Sequence, residues 1–179
     1  DRTTDVLLPA PTFEALKGLF LSNDFSRTRP HQFRAEAPQF DFVQSAREEG
    51  ANIIQDFHET ATVRGGKIYA ILSDICAFAN TNGGSLFIGL SADSHTPPVG
   101  VQSPDQLIKQ LEKEVANRIS PPLHLTIDQQ KFKTKPILRI LVPRGEEPPY
   151  ALDDNKIYIR DEEETNLAVR DEIVNLVQR

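Results

Sequence analysis

The stretch that most restricts what this chain can fold into is Ala77-Phe-Ala-Asn-Thr-Asn-Gly-Gly-Ser-Leu-Phe-Ile-Gly-Leu90, a helix ending that runs straight into an apolar strand. Upstream of it Ile68, Ile71, Leu72, Ile75, Cys76 and Ala79 recur at helical spacing, so a helix over 65–80 carries one apolar face. Asn80, Asn82, Gly83 and Gly84 then supply residues that accept the left-handed backbone a helix needs to stop. Residues 85–90 follow with little polar interruption, as in a strand covered on both faces. A helix, an Asn/Gly stop and a buried strand are by themselves a structural unit rather than a functional one.

The same reading places the other elements. A strand is expected over 53–58, a turn at 96–100 and a helix over 105–119. That helix carries Leu107, Ile108, Leu111, Val115 and Ile119 on one face, and Pro104 favours its start. Strands over 123–127 and 137–142 are joined by a basic hairpin region, 131–135. A last strand over 156–160 leads to a final helix over 166–178, with Thr165 as its N-cap. This order predicts an α/β fold: a single mixed sheet packed by helices. Residues 1–50 read as an extension and 51–179 as the domain proper. In the extension a short helix over 12–21 is expected to turn Phe13, Leu16, Leu19 and Phe20 inward. The polar, basic segment 26–34, interrupted by Pro30, reads as a loop or linker whose arginines are solvated.

A second segment gives the first its meaning. Tyr158-Ile159-Arg160, four acids, then Thr165, Ala168 and Glu172-Ile173 follow about seventy positions later. Together the two segments resemble the Schlafen-type, Alba-like DNA-binding domain family. There an AFANT-GG-hydrophobic-IGV block precedes a Y-[IV]-R-x-G-x-x-T-x-x-A-x-x-x-E-[IV] block. Pro148-Pro149-Tyr150, before the last strand, is similar too. The resemblance covers about residues 53–179. It implies a Schlafen/Alba-like domain and a nucleic-acid-associated module, such as the DNA-binding or sensing part of a bacterial or archaeal regulator.

Charge bears on that implication. The net charge is -6. Residues 1–144 hold equal numbers of acidic and basic side chains, so the acidity is concentrated beyond Arg144. A basic face is compatible with this balance but is not implied by it. No apolar run approaches the ~18 residues of a membrane span, and no signal-peptide pattern opens the sequence, so the cytoplasm is the expected compartment. Cys76, the single cysteine, lies on an apolar helix face and reads as a buried, inert thiol.

Several chemistries lack a motif. Gly65-Gly66-Lys67-Ile68 has neither the glycine spacing of a phosphate loop nor a hydroxyl at position 68. The four histidines show no zinc-ligand spacing, and no nucleophile elbow is present. Carboxylates carry the sharper question. Some Schlafen proteins are RNA endonucleases, and the resemblance implies a three-acid site for Mg²⁺ or Mn²⁺, hard cations that prefer oxygen ligands. The family pattern E-x-x-x-x-E-F-K meets Ala51, Asp56, Phe57 and His58 here. The first acid is therefore absent, leaving Glu48 or Glu49 as a substitute if the strand bulges. The third acid is displaced by one residue to Asp93. The catalytic candidates are thus Asp56, Asp93 and Glu49, with Asp56 and Asp93 as metal ligands if the chain is a nuclease.

Candidate phosphate contacts are Arg64, Lys67, Lys131, Lys133, Lys135 and Arg160. Arg64 and Lys67 flank a helix start, where anions are favoured. Arg160 is followed by Asp161-Glu-Glu-Glu164, which would repel phosphate and support the final helix through its dipole. Three functions remain open from the sequence: DNA or RNA binding, metal-dependent RNA cleavage, and a catalytically degenerate scaffold that assembles with protein partners. A homodimer is compatible with the exposed strands of a small sheet.

Overall fold

A computed structural model describes residues 4–6, 8, 11–22, 28–30, 41–62 and 66–178. The chain divides into two compact units, Asp1–Phe40 and Asp41–Arg179.

The first unit contains a short strand β1 (Thr4–Val6), a helix α1 (Phe13–Ser22) and a strand β2 (Thr28–Pro30). Thr12 caps α1, its hydroxyl accepting from the Ala15 N–H at 3.3 Å. Leu19 is buried as expected, but Phe13 and Phe20, on the same stripe of α1, are exposed. Thr28–Pro30, expected within a loop, pairs antiparallel with β1. The other residues of segment 26–34 lie outside the described residues, as does Arg64.

The second unit starts at Asp41, ahead of the boundary expected at 51. Asp41 caps helix α2 (Phe42–Glu49) by accepting from the Val43 and Gln44 N–H groups, each at 3.1 Å. That helix belongs to the domain because Val43 and Ala46 pack with Phe57, Phe87, Leu90, Phe132 and Ile137. Strand β3 (Gln55–His58), helix α3 (Lys67–Asn80) and strand β4 (Gly84–Ile88) form a crossover unit with β3 and β4 parallel. Helix α4 (Pro104–Arg118) leads through β5 (Ile119–Ser120) to the hairpin β6 (Thr126–Phe132) and β7 (Lys135–Val142).

The mixed sheet expected from the sequence has the order β3-β4-β7-β6. The remaining strands do not extend it. β8 (Ala151–Leu152) pairs with β5, and β9 (Tyr158–Asp161) pairs with β10 (Glu164–Leu167) in separate two-stranded ladders.

Burial on both faces explains the uninterrupted apolar strand. Leu86 and Ile88 join α3 and α4 in the larger core, with Ile71, Leu72, Ile75, Leu111, Leu138 and Ile140. Phe87 points the other way, stacked on Phe57 at 5.2 Å and packed under α2. Each such aliphatic side chain withdrawn from water stabilises the fold by roughly 1.5–3 kcal/mol.

The final helix needs a correction. It is α5 (Arg170–Val177), and the stretch expected as its first turn is strand β10. Thr165 is a strand residue opposite Arg160, not an N-cap. Glu172 supports the true helix start by accepting from the Val169 N–H at 2.8 Å. The acids 161–164 therefore form a hairpin tip with Glu162 at φ 50°, and do not adjoin a helix N-terminus.

Cys76 is fully buried, and burial pushes its thiol up to about 11. Native protein is expected to leave an aromatic disulfide reagent unreacted, with one thiol released on addition of denaturant. Rapid reaction of the native protein would show that α3 does not seal this position.

Candidate nucleic-acid interface

The two sequence blocks meet in space, and their polar residues hold elements together. Asn80 ends α3 with its side chain buried. Its amide oxygen accepts from the Tyr150 N–H at 2.7 Å, and its Nδ2 donates to the Tyr150 and Tyr158 carbonyls at 2.9 and 2.8 Å. One side chain thus satisfies three backbone groups on the segments around β8 and β9, a stronger role than helix termination. Gly84 follows because a Cβ there would lie 2.6 Å from the Ile54 carbonyl oxygen and 2.7 Å from the Phe78 ring. Tyr158 places its hydroxyl 3.1 Å from that of Tyr69, to which the Lys156 ammonium donates at 2.8 Å.

Arg160 is the centre of the second polar group. Its side chain is 1% exposed, its guanidinium lying 5.1 Å from the Phe78 ring centroid. It donates to Asp56 Oδ2 at 2.7 Å, to the Asn52 carbonyl at 3.0 and 3.1 Å, to the Gln55 carbonyl at 3.3 Å and to Thr165 Oγ1 at 3.2 Å. Asp74 stands 3.9 Å from the same guanidinium and hydrogen-bonds His58 Nε2 at 2.6 Å. Asp56 and His58 share this face of β3 because strand side chains alternate. Arg160 therefore pins the β9–β10 hairpin to β3 and is unavailable to phosphate. Its partner is Asp56, not the acids that follow it in sequence.

The three carboxylates proposed for a metal are placed differently from one another. Asp56 has both oxygens engaged, Oδ2 by Arg160 and Oδ1 by the Phe57 N–H at 2.7 Å. Asp93 is exposed in a turn, accepting from the His95 N–H at 2.9 Å and from the Thr96 hydroxyl at 3.1 Å. The His95 N–H foremost, then the His95 ring and the Thr96 hydroxyl, hold its carboxyl below the ordinary aspartate range. Arg47 fixes that turn through the Asp93 and Thr96 carbonyls, both at 2.7 Å. Glu48 and Glu49 are exposed in the last turn of α2, not on a bulged strand, and Glu48 accepts from Gln44 at 2.7 Å. Among the described residues no three His, Cys, Asp or Glu side chains are grouped to hold a metal ion. These residues do not fit a Mg²⁺ or Mn²⁺ site.

The lysines are the available cations. Lys131, Lys133 and Lys135 are exposed at the β6–β7 tip, where Lys133 and Thr134 turn with positive φ. β4 pairs with β7 only from Leu138 to Val142, so the tip runs past the end of β4. The nearby charges Asp128 and Arg139 pair with each other, Arg139 Nε donating at 3.0 Å, which leaves the tip's positive charge uncancelled. Lys67 is exposed at the start of α3, with its ammonium donating to Thr60 Oγ1 at 2.7 Å. The tip abuts the 100–101 loop: the Val101 N–H donates to the Pro136 carbonyl at 2.8 Å, and a Cβ on Gly100 would lie 3.0 Å from Lys135 Cβ.

An α/β domain with helices on both faces of its sheet and a projecting basic hairpin is the class this geometry defines. The family model described as Schlafen, AlbA_2 matches residues 40–169, and the chain belongs to that family. Among solved structures it is similar to the DIP2311 protein from Corynebacterium diphtheriae, with a TM-score of 0.53 and 20% identity over 69% of this chain and 23% of that one. That likeness shows the fold. The chain spans less than a quarter of that relative. It is also similar to the N-terminal domain of a Nitrosomonas europaea protein related to the ATP-dependent DNA helicase RecG, with a TM-score of 0.42 and 23% identity over 50% of this chain and 62% of that one. No curated protein matches the chain. No described helix is long and apolar enough to cross a membrane.

Sequence reasoning missed Asp74 and the use made of Asn80 and Arg160. Asp74 was detectable as a charge set between Leu72 and Ile75 in an otherwise apolar run. Such a residue is either paired or costly.

Proposed function

We propose that this domain binds nucleic acid through the β6–β7 hairpin, as a module of a larger regulator-type protein rather than as a metal-dependent nuclease. The observation that carries the reading is the tip itself: Lys131, Lys133 and Lys135 are exposed together, with no acidic partner among the described residues. Membership of the Schlafen, AlbA_2 family supports the same reading. Phosphate contacts need mobile cations that face solvent, and lysines on a projecting hairpin meet that need. Asp56 argues against cleavage, since a carboxylate already bonded at both oxygens offers little to a metal.

The test is a panel of single-stranded DNA, duplex DNA and tRNA, run on native and denaturing gels with and without Mn²⁺. The expected result is retardation without cleavage. Replacing Lys131, Lys133 and Lys135 together with alanine should weaken retardation about tenfold or more at low salt, as lost phosphate contacts do. Strand scission in Mn²⁺ would contradict the proposal. Absence of any shift would instead favour the scaffold reading.

A further inference from the structure

A cavity of about 400 Å³ opens beside the lysine hairpin, between the 59–62 loop after β3, the 99–103 loop and one face of α4. Its volume falls in the range of about 300–1,000 Å³ typical of small-ligand sites. The position is informative as well. Ile88 closes β4 and the 59–62 loop follows β3, so the cavity lies beyond the carboxyl ends of the parallel strand pair. Open α/β sheets take ligands in that crevice.

The lining restricts the ligand. Ala61, Ile88, Val101 and Leu107 supply apolar surface. Gln106 and Gln110 stand one turn apart on α4, and Gln102 joins them from the preceding loop. None of these three amides bonds another described residue. Glu59 is the charged side chain on the wall, and no lysine or arginine lines it. A phosphate inside would meet a carboxylate and no cation. A flat, neutral ring with apolar faces and donor and acceptor edges fits instead, since glutamine amides can pair with a base edge.

We propose that this cavity takes one unstacked nucleobase, its edge on the α4 glutamines and its flanking phosphates outside on the lysines. Contiguity supports the arrangement. Gly100 lines the cavity and abuts Lys135, while Lys67 reaches the wall residue Thr60 at 2.7 Å. The strand-borne form of the proposal rests on the nucleic-acid reading above. A free nucleoside has the same chemistry and needs no phosphate contact.

The test compares two single-stranded oligonucleotides of abasic residues, one carrying a single adenine, by fluorescence anisotropy, with adenosine binding followed by ligand-observed NMR. The adenine should tighten binding about tenfold, the scale of one base held by stacking and hydrogen bonds. The double variant Gln106→Ala/Gln110→Ala changes surface side chains only. It should erase that difference and leave the abasic strand's affinity unchanged. Adenosine binding lost in the variant, with no oligonucleotide affinity, would support the cavity with a free nucleoside as its ligand and overturn the nucleic-acid reading. Equal affinity for both strands without adenosine binding would overturn the cavity proposal alone, as would a variant that keeps the tenfold difference. Binding of neither probe would overturn both.

Discussion

Arg160→Met is expected to destabilise the domain by roughly 3–5 kcal/mol, the cost of leaving a buried charge without its partner. The guanidinium is 1% exposed and Asp56 19% exposed, so the substitution leaves a carboxylate facing Asp74 with the neutralising cation removed. It also removes the two Arg160 donors from the Asn52 carbonyl, while the Gln55 carbonyl keeps the Asn52 N–H at 2.9 Å. Typical domains have about 5–15 kcal/mol in total, so the urea midpoint should fall by a large fraction of its wild-type value. Asp56→Asn on the Arg160→Met background should recover part of the loss, at least about 1 kcal/mol, because the lone charge is removed. An Arg160→Met protein within 1 kcal/mol of wild type on the scale of ordinary surface changes would contradict the role given to this residue. One consequence concerns nuclease assays. Asp56→Ala is itself expected to unfold the domain in part, so lost cleavage in that variant has meaning only beside its melting temperature.

Asn80→Ala should cost about 3 kcal/mol, since each buried backbone group left without a partner costs about 1–3 kcal/mol. The Tyr150 N–H and the Tyr158 carbonyl lose their Asn80 bonds, while the Tyr150 carbonyl keeps the Cys76 thiol at 3.2 Å. Asn80→Asp separates the two halves of the amide. Its carboxyl oxygen can still accept from Tyr150, but its ionised form faces two carbonyl oxygens and has no donor to offer. Burial and those carbonyls raise the introduced group's folded-state pKa above its unfolded value. Its stability contribution is then present at low pH and lost as pH rises through that raised pKa. Thermal melts from pH 4 to pH 8 should therefore show Asn80→Asp falling away from wild type as pH rises. A constant offset across that range would mean that the side chain is not held against the two carbonyls.

Helical periodicity and the Asn/Gly stop located α3 and β4 because both are set by local backbone and burial patterns. The family resemblance of residues 77–90 and 158–173 pointed to the family that the match over 40–169 shows. The C-terminal segment misled for a physical reason. Glu164–Leu167 is polar and short, and its strand state comes from pairing with β9, a long-range choice invisible to local propensity. The same holds for Phe13 and Phe20, whose exposure depends on what packs against α1. In the site, the sequence marked charged residues without showing their partners. Arg160 was legible as a motif cation, but its pairing with Asp56 crosses the whole domain and no spacing rule predicts it. The cavity at the ends of β3 and β4 was not legible at all, since its walls come from three separated segments.

Salt dependence of binding tests the central claim most directly. A fluorescent single-stranded oligonucleotide would be titrated with wild type and with the Lys131→Ala/Lys133→Ala/Lys135→Ala variant from 20 to 200 mM NaCl. If the hairpin lysines neutralise phosphates, log K for the wild type falls linearly with log salt. The variant's slope should then be shallower by about 2, at roughly 0.7 per lost contact. Identical slopes for the two proteins, or no affinity even at the lowest salt, would contradict the hairpin as a nucleic-acid interface.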